Sequence, residues 1–324
     1  MVEKSIIITG GSGFIGTNLI DYYESLGYSI LNIDIKPPRK LEHNVYWRQC
    51  DILDLSNLKK LVTDFNAPIL IHMAAKADLK GKSIEDYITN TVGVHNIITV
   101  CNDTRSNVQK VVFASTMLVC KAGYIPKIDN DYCPLNFYGE SKMMGEKLVK
   151  EANNLKFNWI IVRPSSIWGP WFGATYRTFF EMIIHKRYFN FSGRMSTKTF
   201  GYIGNVVYQI DQIINSTNSS HKTFYLGDYE AVNIKQWANE ISLEIGHKVK
   251  TIPKFLVFIL AKIGDFLSRL NINFPMNSFR YNNMTTDNTL PLDNTREIAP
   301  KTPFSRKCGI KITLEWMKTI VNQS

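Results

Sequence analysis

Ser5-Ile6-Ile7-Ile8-Thr9 is a run of branched apolar residues without polar alternation, the pattern of a strand buried on both faces. Glycines follow, and apolar residues then recur at helical spacing over 17–26. The alternation repeats down the chain. Strands are expected at 28–34, 68–73, 110–115 and 159–162, and helices at 55–65, 84–100 and 138–152. Asp54 or Ser56 would cap the helix beginning at 55. Such alternation implies an α/β fold, a Rossmann-type doubly wound parallel sheet.

The pattern breaks near Pro164. Aromatic residues and glycines crowd 168–204, a strand-like run at 223–226 ends at Gly227, and helical spacing returns at 234–245 and 255–270. A stretch rich in Pro, Asn and Thr then runs to Pro303. The expected organisation is a first domain of 1–165, to which 200–227 returns. A smaller substrate-binding lobe is expected from 166–199 and 228–324.

Composition narrows the picture. The 324 residues suit two domains, and 44% hydrophobic with 20% charged residues is globular, which excludes disorder. The formal net charge of +10 fits nucleic acid, an anionic membrane or an anionic small molecule. No helix-turn-helix, zinc finger or other nucleic-acid module supports the first, so no nucleic-acid partner is expected. The start, MVEKSIIITGG, lacks the apolar core of a signal peptide, and the apolar run 255–261 is too short to span a bilayer. The five cysteines are widely spaced and never CxxC, which argues against a disulfide framework or a metal site and fits a reducing cytoplasm.

The first turn carries chemistry. Thr9-Gly10-Gly11-Ser12-Gly13-Phe14-Ile15-Gly16 joins the first strand to the first helix. Glycines allow a tight turn and close approach to a pyrophosphate, which the helix N-terminus attracts. Asp34 lies 18 residues after Gly16, at the end of the next strand. A carboxylate there accepts from a ribose hydroxyl and repels a 2′-phosphate, which favours NAD over NADP. Lys36 and Arg39 soften that preference.

Tyr138 and Lys142 form YxxxK, and none of the other 14 tyrosines has Lys at i+4. On a helix the two share a face, so the ammonium is expected to lower the phenol pKa toward working pH. Tyr138 could then take a proton from an alcohol while hydride leaves its carbon.

Together these motifs resemble the extended short-chain dehydrogenase/reductases of the NAD-dependent epimerase/dehydratase family. TGGSGFIG at 9–16, Asp51-Ile52, His72-Met73-Ala74-Ala75, Asn90-Thr91-Val92-Gly93, Phe113-Ala114-Ser115-Thr116, Tyr138-Gly139-Glu140-Ser141-Lys142 and Arg163-Pro164 occur in the family's order over roughly 5–227. The resemblance implies cofactor contacts from Gly10, Gly13, Phe14, Ile15, Gly16, Asp34, Asp51, Ile52, Met73, Ala74, Ala75, Asn90, Ser115, Tyr138, Lys142, Pro164 and Ser165. It gives Thr116 the role of the catalytic hydroxyl residue beside Tyr138 and Lys142. It also implies a homodimer through the helices at 84–100 and 138–152.

Departures refine the reading. Val119-Cys120-Lys121 stands where the family often has VYG, and Cys120 reads as a packed small apolar residue. Asn205 stands where an Asp is common. Met117 follows Thr116 at a position where dehydratases resembling this family carry an acid, and a thioether transfers no proton. That argues against dehydration and for reversible oxidation at one carbon. Tyr176, Arg177, Arg194 and Arg280 are candidates for a sugar diphosphate, through aromatic contact and bidentate guanidinium forks.

Residues 231–324 hold 13 Lys+Arg against 7 Asp+Glu, and within them 253–267 is apolar around most of a helix. Two readings stand: a helix packed on the lobe core, or peripheral membrane contact beside basic residues. This lobe resembles bacterial epimerases that act on polyprenyl-diphosphate-linked N-acetylhexosamine.

The function expected is an NAD-dependent sugar 4-epimerase in bacterial surface-polysaccharide synthesis, acting on a nucleotide- or polyprenyl-diphosphate sugar. The alternatives are an NAD(P)H-dependent ketosugar reductase and, behind it, a non-catalytic dinucleotide sensor.

Overall fold

The computed structural model describes residues 4–270, 272, 274 and 276–321. Its centre is a seven-stranded parallel sheet: β1 (Ser5–Thr9), β2 (Ser29–Asp34), β3 (Trp47–Gln49), β4 (Ile69–His72), β5 (Lys110–Ala114), β6 (Asn158–Pro164) and β7 (Lys222–Leu226). The spatial order is β7-β6-β5-β4-β1-β2-β3. The direction of winding reverses between β1 and β4, so the crevice beyond their C-terminal ends is the switch point where such sheets bind ligands.

Alternation along β1 explains its composition. Ile6 and Ile8 enter one buried cluster with Leu19 and Ile20, whereas Ile7 enters the other with Leu31, Leu58 and Val94. Both faces of the strand are covered, so all three positions are apolar. The helices α1 (Phe14–Ser25), α2 (Leu55–Phe65), α3 (Val92–Cys101) and α4 (Phe137–Glu151) follow β1, β3, β4 and β5. Asp54 caps α2 by accepting from Asn57 N at 3.1 Å. The next helices are α5 (Ala174–Ile184), α6 (Ile203–Asn215), α7 (Ile234–Glu244) and α8 (Lys254–Arg269), followed by α9 (Ser278–Thr285), α10 (Asp293–Ile298) and α11 (Arg306–Val321).

The single helix expected over 84–100 is two pieces: a 3₁₀ segment at Glu85–Asn90 and then α3. Tyr87 is non-helical at φ −113, ψ 27, because its hydroxyl is drawn to the Asp78 carbonyl and accepts from Gly81 N. The Asn90 amide likewise leaves the helix for the Lys76 backbone. β3 and the helices α5, α9, α10 and α11 add to the elements expected from the pattern.

The later chain rejoins the first half. β7 pairs with β6, and α6 packs on α1, where Tyr22 donates to Asp211 at 3.1 Å. Asn205 donates to Asp228 and to the Phe304 carbonyl while accepting from Phe304 N. A carboxylate could not make both kinds of bond, which accounts for the amide here. Trp168, Phe180 and Trp237 extend the buried cluster of Ile6 and Ile8 into the C-terminal lobe.

Candidate active site

The glycine loop folds back against the end of β4. Gly10 has φ +74, and a Cβ there would lie 2.5 Å from Ala74 N. A Cβ on Gly16 would lie 2.2 Å from the Gly10 carbonyl oxygen. Only glycine serves both positions. Gly13 is the N-cap of α1 and offers no side-chain cap, so the first N–H groups of the helix remain available to an anion. Asp34 accepts from Ser12 N at 3.1 Å and Lys36 N at 2.9 Å, which fixes the carboxylate beside the loop. Burial pushes the Asp34 pKa up against those bonds. Arg39 donates through Nε to the Ser12 carbonyl and through Nη1 to that of Trp171, so it ties the loop to the chain after β6.

These features fit a dinucleotide: an uncapped helix end, a cradle that a Cβ would fill, and a carboxylate at its edge. Met73, Ala74 and Ala75 form the half-buried chain facing the loop, and Phe14 and Ile15 open α1. Asp51 accepts from Leu53 N, which leaves it exposed at the turn, while Ile52 is buried against Gly93. At the other end, Pro164 closes β6, and the buried Ser165 hydroxyl has no hydrogen-bond partner.

Tyr138, Lys142 and Thr116 meet beyond the end of β5. Asn136 caps α4 by accepting from Gly139 N at 2.8 Å, which sets the helix start and so the direction of Tyr138. Thr116 begins a 3₁₀ turn, accepts from Leu118 N at 3.2 Å and lies beside the Tyr138 phenol. Ser115 is buried beside it. Lys142 is buried and donates to the Ala114 carbonyl at 2.7 Å.

The expectation of a phenol acidified by Lys142 is corrected here. Burial pushes Tyr138 up to about 12, opposed by the neighbouring Thr116 hydroxyl. The same burial pushes Lys142 down to about 8, opposed by Glu146. The two share a helix face, yet the ammonium is turned onto a strand carbonyl.

Behind the pair lies a buried polar scaffold. Arg163 forks onto Glu146 at 2.8 and 2.7 Å and donates to Tyr225 and the Asp129 carbonyl. Burial disfavours the Glu146 carboxylate, but the Arg163 fork outweighs it and holds the pKa below the usual range. Asn90 accepts from Lys76 N at 2.9 Å and donates to Ser141 on α4 at 3.0 Å, so it joins the cleft loop to the catalytic helix. His72 shares a 2.7 Å bond with Thr9, and burial pushes its pKa down to about 3, so it stays neutral. Cys120 is buried, and burial raises its thiol pKa, which disfavours the nucleophilic thiolate.

A 510 Å³ cavity opens in the C-terminal lobe, with Tyr176, Arg187, Lys198, Trp237 and Arg280 in its wall. The structure thus brings Tyr176 and Arg280 together. Arg177 instead pairs with Glu181 at 3.0 Å, and Arg194 with Asp287, both on the exposed surface outside that wall. Sequence reasoning missed Lys198, which is buried, bonds Asn283 and is pushed down to about 8 by burial. It also missed Asn288, which pairs with Lys198 along the backbone and donates to the Met117 sulfur at 3.6 Å. Through Asn288 the cavity wall continues to the residue beside Thr116.

Residues 6–227 match the sequence profile of the NAD dependent epimerase/dehydratase family, and the chain belongs to that family. It is an enzyme family whose cofactor is NAD. The chain is 20% identical to the N-acetyl-alpha-D-glucosaminyl-diphospho-ditrans,octacis-undecaprenol 4-epimerase of Escherichia coli O157:H7, over 97% of this chain and 96% of that protein. It is 24% identical to a UDP-glucose 4-epimerase of Vibrio cholerae, over 78% of this chain and 79% of that one. Its fold is similar to that of a UDP-glucuronic acid 4-epimerase from Bacillus cereus in complex with NAD. The TM-score is 0.76, with 18% identity over 99% of this chain and 98% of the other.

Proposed function

We propose that the protein is an NAD-dependent sugar 4-epimerase whose substrate is a nucleotide-diphosphate sugar or a polyprenyl-diphosphate-linked N-acetylhexosamine, in surface-polysaccharide synthesis. The observation that carries this reading is the buried grouping of Thr116, Tyr138 and Lys142 beyond the end of β5, with the Lys142 ammonium on the Ala114 carbonyl. Tyr138 takes the C4 hydroxyl proton, Thr116 orients that hydroxyl, and Lys142 holds the nicotinamide ribose. When bound, NAD would supply the acceptor and donor of the C4 hydride. Met117, packed under Asn288, offers no proton for elimination of water. Residues 1–165 and 200–227 hold the cofactor, and 166–199 and 228–324 hold the substrate.

The relatives named as 4-epimerases support the reaction, and one of them is named for a lipid-linked substrate. The diphosphate is assigned to Lys198 and Arg280, with Tyr176 against the carrier or sugar. A homodimer would pair the exposed Ile88, Val92, Met144 and Leu148 of the 84–100 and 138–152 segments. The test is to release and identify the bound nucleotide, then screen UDP-, GDP- and lipid-linked sugars by NMR of the product. An inverted C4 centre with no net NADH supports epimerisation, whereas stoichiometric consumption of NAD(P)H makes the protein a reductase.

A further inference from the structure

The helix α8 does not spend its apolar residues on the core. Only Val257, Ala261 and Gly264 are buried, a narrow stripe. On the opposite side Phe255, Ile259, Ile263, Phe266 and Leu270 recur at i+4, i+4, i+3 and i+4, which aligns them on one face. All five are exposed, Phe255 at 64% and Phe266 at 61%, with Leu256 beside them. Isolated exposed apolar residues are ordinary, but a continuous stripe along a helix marks a contact surface.

Charge identifies the partner. Residues 253–285 carry Lys254, Lys262, Arg269 and Arg280 against one acid, Asp265. That acid is engaged with α9: its carboxylate accepts from Ser278 N at 2.9 Å and from the Ser278 hydroxyl, which docks α9 on α8. Lys262 lies over the Phe258 ring at 5.4 Å, at the flank of the stripe. An apolar face edged by ammonium and guanidinium groups complements an anionic lipid surface. The α8 helix is 16 residues and so about 24 Å long. Among the described residues no helix is long and apolar enough to cross a membrane.

The patch reaches the substrate cavity. Phe258 of α8 meets Tyr281 of α9 edge to face at 5.7 Å. On α9, Phe279 and Arg280 line the cavity, and Phe279 is 70% exposed. We propose that the α8–α9 face seats the protein on an anionic lipid bilayer and turns the cavity mouth toward lipid-linked diphosphate. The cavity's substrate rests on the epimerase reading, while the bilayer contact is measured without any sugar.

The experiment is co-sedimentation of the full chain with vesicles of equal parts phosphatidylglycerol and phosphatidylcholine, and with phosphatidylcholine alone. Binding is expected to the anionic vesicles and to fall at least tenfold in neutral ones or in high salt. The variant Phe255→Ser/Ile259→Ser/Phe266→Ser should lose at least tenfold in partitioning while its thermal melt and retained nucleotide stay unchanged. Lys262→Glu/Arg269→Glu should lose the preference for anionic lipid. Absent binding by the wild type, or unchanged binding by both variants, overturns the proposal. So does a dimer-to-monomer change in the first variant with no vesicle binding by the wild type, since the face would then cover a second copy. A chain that binds vesicles yet epimerises no sugar refutes the epimerase reading and leaves this one standing.

Discussion

The Lys142 ammonium donates to the Ala114 carbonyl oxygen at 2.7 Å, so the cation of the YxxxK pair is anchored to the last residue of β5 rather than to Tyr138. The cost of this buried charge is measurable. The folded pKa falls from 10.5 to about 8 because burial disfavours the ammonium. Between those values the unfolded chain binds more protons than the folded one, so this residue makes stability rise with pH from about 8 to 10.5. Below pH 8 the full penalty is present.

Lys142→Met should therefore stabilise the protein at pH 7. The penalty removed is at most about 3 kcal/mol, from which the unpaired Ala114 carbonyl subtracts about 1 kcal/mol. Urea unfolding should show a gain over wild type that shrinks as pH approaches 10. Activity should fall by about 10²-fold or more. A destabilised, active variant would refute the assignment.

Thr116 and Tyr138 should separate by chemistry. Tyr138→Phe is expected to lower kcat about 10²–10⁴-fold, the span of a lost acid–base group, without loss of co-purifying nucleotide. Thr116→Ser should keep activity within about tenfold because it retains the hydroxyl. Thr116→Val should behave like the tyrosine variant. Equal activity of the Ser and Val variants would show that the hydroxyl is not used.

Gly10→Ala and Gly16→Ala test the cradle. The first places a Cβ at φ +74 against Ala74 N, and the second places one against the Gly10 carbonyl. Both should lose bound nucleotide and thermal stability together. Gly173→Ala has nothing within 4 Å of the added carbon and should leave both within error.

Glu146 anchors Arg163, and removing one partner of a buried pair leaves the other charge uncompensated. Glu146→Ala should cost about 3–5 kcal/mol, and Glu146→Met/Arg163→Met should recover much of it. Because the folded carboxyl is held below the usual range, its contribution is present above the unfolded value near 4.5 and lost as pH falls through the lower folded value. The acid-induced loss of stability should be smaller in Glu146→Ala than in wild type, as denaturant unfolding at pH 7 and pH 4 would show.

Local pattern explains how far the sequence could be read. Ile6–Ile8, the glycine loop and Tyr138/Lys142 depend on residues close in the chain, so strand, turn and helix face were legible there. The break before α3 depends on Tyr87 reaching Asp78 and on Asn90 reaching Lys76, contacts no periodicity encodes. Lys198 was hidden because its setting is assembled from α5, α7 and α9, whose lining residues lie up to about 90 positions from it in the chain. Arg177 was partly legible, since its partner Glu181 stands at i+4 on the same helix, whereas the Asp287 that holds Arg194 is distant in sequence. The apolar run at 253–267 showed its composition but not its exposure, which depends on α8 resting on only a few contacts.

The most direct test of the central claim uses a UDP- or lipid-linked N-acetylhexosamine carrying deuterium at C4. Transient oxidation with return of the same hydride predicts the C4 epimer with deuterium still on C4, no exchange with solvent and no released NADH. Loss of the deuterium to water, or one NADH released per turnover, would contradict it.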